Sequence, residues 1–273
     1  MSTPDAAAPL PDPAADVADL WARVLAVADA VDESDRRRPT PCKAWDVGDL
    51  LAHCAAAQHD FDAGPEPPSP DEGGGPEAQS MEAWTARGVA AREGWTLEDL
   101  RADLAAARDG HVARVQAVTD WSAPARGPLG PTTEAGLLAV RCYDLWVHLW
   151  DLHDALDAPC PLDDAAPAAV AAHQYVLRLV PFLQAKRVAA PEGSVMRLVL
   201  SSPLELEDVL VVRDGRAGFD ASQDVGQDRV EASPGAFTLL LSGRESPEVW
   251  RDRGQLDWDG PVGRAFVERA RLF

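Results

Sequence analysis

The spacing of apolar residues changes once along this chain, near residue 190, and that change limits the folds open to it. Before it, apolar positions recur at helical spacing: "DVADLWARVLAVADAVDE" puts Val17, Leu20, Trp21, Val24, Leu25, Val27 and Ala28 on one stripe. After it, "VMRLVLSS" and "LEDVLVVRDGRAGFDA" are β-rich with period two, and "RDGRAG" reads as a hairpin turn. The expected fold class is α+β, with a helical domain over residues 1–187 and a smaller α+β domain over residues 188–273.

Helix signals divide the first part. Asp46 is placed to cap a second helix, Thr96 and Asp99 to cap a later one, and Ser233 with Pro234 to open a short helix in the second domain. The proline- and glycine-rich stretch from Gly64 to Gln79 predicts a loop or an insertion at a bundle end, and "PARGPLGPTT" predicts a turn. A net charge of -20 argues against electrostatically driven binding to nucleic acid or an anionic membrane, which depends on clustered lysine and arginine. The N-terminus has neither the basic region nor the apolar core of a signal peptide, and no apolar run is long enough to span a bilayer, so a cytoplasmic protein is expected. Cys42, Cys54, Cys142 and Cys160 form no CxxC pair and read as small buried hydrophobes.

The chemistry concentrates in "RCYDLWVHLWDLHDAL", Arg141 to Leu156, an apolar helix interrupted by Asp144, His148, Asp151 and His153. Residues four apart on a helix lie about 40° from each other, so Asp144 and His148 can reach one point. His153, five beyond His148, is turned about 140° away and falls outside such a site, whereas Asp151 is close enough to hydrogen-bond His148, to cap the next turn or to face solvent. A carboxylate and an imidazole from one helix are half of a metal site for zinc, iron or nickel. His53, in the apolar helix "DLLAHCA", is the candidate third ligand. The same residues also read as a core histidine and an i,i+4 ion pair, and spacing alone leaves both readings open.

Two motifs taken together narrow them. "RPTPCKAWDVGDLLAHCA" followed by "RCYDLWVHLWDL" resembles the DinB-like superfamily, in its branch of mycothiol-dependent maleylpyruvate isomerases. Thr40, Pro41, Cys42, Trp45, Asp49, Leu50 and His53 carry the first signature, and Arg141, Asp144, Val147, His148, Trp150 and Asp151 the second. "FTLLLSGRESPE" extends the likeness to the second domain. The resemblance implies a four-helix bundle holding a divalent metal, usually zinc, through His53, Asp144 and His148, with further positions for water or a thiol. The family's carboxylate is typically glutamate, and the aspartate here changes its reach and denticity.

The resemblance also implies mycothiol as the thiol cosubstrate, a small electrophile or carboxylate as substrate, and a C-terminal-domain arginine used in activity, matched by Arg244. That residue reads equally as a charge at a helix end. The activity implied is isomerisation, or S-transfer to an electrophile. The competing readings are a non-catalytic metal-binding or stress-associated bundle, and a 2-His-1-carboxylate iron oxygenase.

Overall fold

The computed structural model describes residues 10–63, 81–127, 130–160, 164–223 and 226–272, and the expected Gly64 to Gln79 loop lies outside them. The chain divides near residue 161 into two compact units. The first contains α1 (Pro13–Ala30), α2 (Val47–Ala63), a short α3 (Met81–Ala90), α4 (Leu97–Ala117), a hairpin of β1 (Pro124–Gly127) and β2 (Gly130–Thr133), and α5 (Glu134–Ala155).

Four of these helices make a bundle in which α1 and α2 each pack on both α4 and α5, while α3 lies on α2. The termini form as the sequence predicts. Asp46 and Asp49 bond reciprocally at the start of α2, and Thr96 with Asp99 makes a capping box on α4. The expected turn at "PARGPLGPTT" is instead the β1–β2 hairpin, held by antiparallel pairing that a proline- and glycine-rich composition does not signal. A buried bond from Trp21 Nε1 to His111 Nδ1, 3.0 Å, ties α1 to α4. Because indole only donates, His111 is the neutral tautomer, and burial helped by Arg141 and Arg114 pushes its pKa down to about 3.

The central helix is α5, buried on nearly every side from Ala135 to Leu152. A helix that is apolar all round belongs in a core. Its polar residues therefore face other protein groups, and the bundle must supply their partners.

The second unit contains α6 (Pro167–Phe182), which runs into a π-helical turn at Leu183–Arg187. It continues through β3 (Val195–Leu200), β4 (Leu206–Arg213), β5 (Arg216–Phe219), β6 (Arg229–Ala232), α7 (Pro234–Leu241), α8 (Pro247–Asp252), β7 (Leu256–Asp259) and α9 (Gly260–Arg269). By packing, α6 belongs here, against α7 and β5, whereas periodicity alone groups it with the helices before it. Periodicity identifies a helix but not the surface that buries it.

The sheet order is β5-β4-β3-β6-β7, with β3 and β6 parallel and the other pairs antiparallel. Met196, Leu198 and Leu200 alternate inward along β3, as period two requires. The β4–β5 turn places Asp214 and Gly215 both at positive φ, 53° and 68°, the turn expected from "RDGRAG". α9 crosses so close to β6 that a Cβ on Gly263 would stand 2.5 Å from the Arg229 carbonyl oxygen.

Candidate metal centre

Two elements bring the site together. The turn before α2 is fastened by Thr40, whose hydroxyl lies 2.8 Å from the Trp45 carbonyl oxygen and 3.1 Å from that of Cys42. It presents Trp45 flat against His53, with ring centroids 4.4 Å apart and planes 29° from parallel. His53 itself comes from the first turns of α2, and α5 contributes Asp144 and His148 across the bundle.

Asp144 Oδ1 lies 3.5 Å from Nε2 of His53 and 3.5 Å from Nε2 of His148. Donor atoms of the three residues all fall within 4.8 Å of one another. Such distances are at the outer limit for hydrogen bonds. They suit a shared ion better, because two ligand atoms each about 2.0–2.1 Å from a tetrahedral zinc stand roughly 3.3–3.4 Å apart. The residues thus fit a divalent metal, and the aspartate reaches the two histidines despite its shorter stem.

Each of the two α5 residues of this group is held through its other atom. Nδ1 of His148 is 2.9 Å from Oδ2 of Asp151, whose side chain is fully buried. That bond keeps the Nδ1 proton in place and aims Nε2 at the site. Asp144 Oδ2 accepts from Arg141 Nη1 at 2.8 Å. His53 differs: its buried Nδ1 has no hydrogen-bond partner, and stacking on Trp45 orients the ring.

The electrostatics follow from burial against charge. Burial alone would lower the His148 pKa, but the Asp144 carboxylate and hydrogen bonds with Asp144, Asp151 and Cys42 overcome it and hold that pKa well above its ordinary value. For Asp144, burial works upward and is outweighed by Arg141, His53 and His148, which hold it well below the usual carboxylate range. Burial lowers His53, with Asp144 opposing. Asp144 keeps 24% of its side chain exposed, so this is the face open to solvent.

The structure separates the other expected residues. His153 lies outside both groups of potential ligands found among the described residues, as its angle on α5 requires. Cys54 also stays out, and burial pushes its thiol up to about 12. Reading Cys42 as a purely structural residue is incomplete, because its sulfur lies within 4.8 Å of donor atoms of His148 and Asp151. No periodicity signals this, since the turn before α2 delivers it. Arg141 and Gln58 were legible only in part: Arg141 precedes Asp144 at i,i+3 spacing, but Gln58, which bonds it from α2, has no local signal.

Arg244 belongs to the second unit, directly after α7. It is buried rather than a surface charge; its Nη1 donates to the Ser242 carbonyl, and its own carbonyl accepts from Trp250 Nε1 at 3.1 Å.

A helical bundle with a two-histidine, one-carboxylate centre, joined to an α+β unit, defines the class of protein. Residues 17–153 match the model of the mycothiol maleylpyruvate isomerase N-terminal domain, and the chain belongs to that family. Among solved structures it is similar to a histidine-to-alanine mutant of the mycothiol-dependent maleylpyruvate isomerase, with 16% identity, TM-score 0.57, and coverage of 92% of this chain and 93% of that one. A second structure of the mycothiol-dependent maleylpyruvate isomerase gives 16% identity and TM-score 0.54, covering 87% of this chain and 90% of that one. At such identity the likeness establishes the fold. No curated protein matches the sequence. Among the described residues, no helix is long and apolar enough to cross a membrane.

Proposed function

We propose that the chain is a mycothiol-dependent metalloenzyme that isomerises a small, carboxylate-bearing substrate with an activated cis double bond. The observation that carries this is the placement of Asp144 Oδ1 at 3.5 Å from both histidine Nε2 atoms. Two histidines and one carboxylate leave coordination positions vacant for exchangeable ligands, and zinc is the ion this donor set and spacing favour. A bound divalent ion would supply one piece of chemistry here, lowering the pKa of a coordinated thiol until the thiolate prevails at neutral pH.

Charge balance supports an anionic partner. With His148 protonated, Asp144 and Asp151 offset Arg141 and the imidazolium. When a doubly charged ion replaces that proton, one positive charge is left over, which a thiolate neutralises and a neutral thiol does not.

Asp151 keeps the proton on Nδ1 of His148, Trp45 fixes the plane of His53, and Arg141 steadies Asp144. Arg244 is proposed to hold the substrate carboxylate by paired hydrogen bonds and to favour the enolate that forms as the thiolate adds. Addition makes a carbon–sulfur bond and moves the alkene electron pair onto the conjugated carbonyl. Rotation about the resulting single bond, followed by collapse of the enolate and departure of the thiolate, gives the trans isomer without any oxidant.

The test is turnover of a maleylpyruvate-type oxo acid by protein with measured metal content. Activity that requires both mycothiol and about one equivalent of metal per chain is expected. Activity that survives complete chelation overturns the metal role, and inactivity of fully loaded protein toward cis-unsaturated acids overturns the isomerase reading. Accumulation of a stable thioether with an electrophile would mark S-transfer instead.

A further inference from the structure

Asp144 has two oxygens, and the structure uses them differently. Oδ1 stands between the histidines, while Oδ2 accepts from Arg141 Nη1 at 2.8 Å. Arg141 is itself only 2% exposed. Its Nε donates across the bundle to Gln58 Oε1 on α2 at 3.1 Å, and its guanidinium lies 4.9 Å from the centre of the Phe61 ring. Gln58 is held in turn by its bond to Asp62 Oδ1, 2.8 Å. The guanidinium is therefore fixed from α2 while it grips a carboxylate on α5.

Burying an arginine is expensive, and an apolar side chain would fill this space at lower cost. Full hydrogen bonding does not compensate, because Arg141 Nη2 is buried with no partner. The arrangement is explained by what Arg141 does to Asp144. An unrestrained carboxylate can bind a divalent ion through one oxygen or both, and the second mode consumes a coordination position. A bonded Oδ2 cannot turn toward the site without giving up its charge-assisted hydrogen bond.

We propose that Arg141 is the positioning residue of this centre: by occupying Oδ2 it makes Asp144 a one-oxygen ligand, aims Oδ1 between His53 and His148, and keeps a coordination position vacant for the thiol. This rests on the metal-binding reading above. It also fixes the denticity of the aspartate.

Cobalt(II) is the probe, because its visible bands weaken several-fold as coordination rises above four. In cobalt-loaded Arg141→Met, binding of one ion per chain persists, and the bands fall several-fold below those of the unaltered protein as Oδ2 enters coordination. Arg141→Lys, which keeps a donor for Oδ2, restores most of the intensity. A folded, loaded Arg141→Met protein with an unchanged spectrum overturns the proposal. If circular dichroism shows that Arg141→Met does not fold, Gln58→Met decides. It releases Nε and lowers the bands in the same direction by a smaller factor, and an unchanged spectrum there counts against the proposal equally. Asp144→Ala separates the two layers of inference: unaltered cobalt stoichiometry and spectrum in that variant would remove Asp144 from the ligand set, and the metal reading itself would fail.

Discussion

Two buried histidines, one in each unit, look alike at first and differ in what surrounds them. His148 on α5 has Nδ1 2.9 Å from Asp151 and Nε2 3.5 Å from Asp144. His173 on α6 has Nδ1 2.8 Å from the Thr238 hydroxyl on α7 and Nε2 3.5 Å from Asp164. Both thus have one close partner and one acid at longer range. Around His148, however, a second histidine converges on the same carboxylate, a buried arginine fixes that carboxylate, and a thiol approaches from the turn before α2. Around His173 the remaining contacts close a seam: Thr238 is fully buried, and Asp164 accepts from the Gly235 amide so closely that a Cβ on Gly235 would stand 2.5 Å from it. A histidine beside an acid is therefore not a site. Asp164 is as open to solvent as Asp144, so it is the convergence of three donors on one point that separates the bundle centre from the clasp.

Paired substitutions give the largest test of that contrast. If the proposed metal reading holds, zinc-loaded His148→Ala should lose its metal on dialysis while zinc-loaded His173→Ala keeps it; metal analysis of both proteins checks this, and zinc lost from the second breaks the distinction. Asp151→Asn comes next. It leaves every proposed ligand in place but weakens the hold on His148, so zinc affinity should fall by about 10–100-fold in chelator competition. Thr238→Val acts on the clasp alone: it strands a buried ring nitrogen, which costs about 1–3 kcal/mol, and leaves zinc affinity unchanged. Denaturant unfolding of the zinc-loaded protein measures the first effect, and the same competition assay measures the second.

What was readable from the sequence follows the range of each interaction. The α5 helix, the Asp144 and His148 pairing, the exclusion of His153 and the closeness of Asp151 all depend on spacing within one helix. The caps at Asp46, Thr96 and Ser233 and the Asp214–Gly215 turn are likewise local. His53 was legible as a candidate because apolar surroundings single it out, but its meeting with α5 needed the motif resemblance. Longer-range features escaped. The stacking of Trp45 on His53 and the approach of Cys42 depend on how a turn folds back over α2. The bond from Arg141 to Gln58 spans 83 positions, and the packing of α6 against α7 depends on a surface assembled from the rest of the second unit. The β1–β2 hairpin escaped for a different reason, since proline, glycine and arginine dominate its short strands and only Thr132 and Thr133 are of the β-branched type that marks strands.

The subtlest expected effect is a change of sign with pH. In metal-free protein the raised pKa of His148 makes its protonated form part of the folded state's stability. That contribution is complete below the unfolded value of about 6.5 and is lost as pH climbs through the folded value. Asp144, held low, contributes above its unfolded value near 3.8 and stops contributing as acid titrates it through its folded value. Metal-free protein should therefore melt at progressively lower temperature as pH rises past about 6.5. Metal loading reverses the slope, because the ion needs the unprotonated Nε2 and competes with that proton. At neutral pH, loading should release about one proton, from His148, since burial already keeps His53 neutral. Titration calorimetry in buffers of different ionisation enthalpy counts that proton. In Asp151→Asn the count should drop below that of the unaltered protein, because the bond that helps hold His148 protonated is weakened. An unchanged count in that variant would mean that Asp151 orients the ring without contributing to its charge.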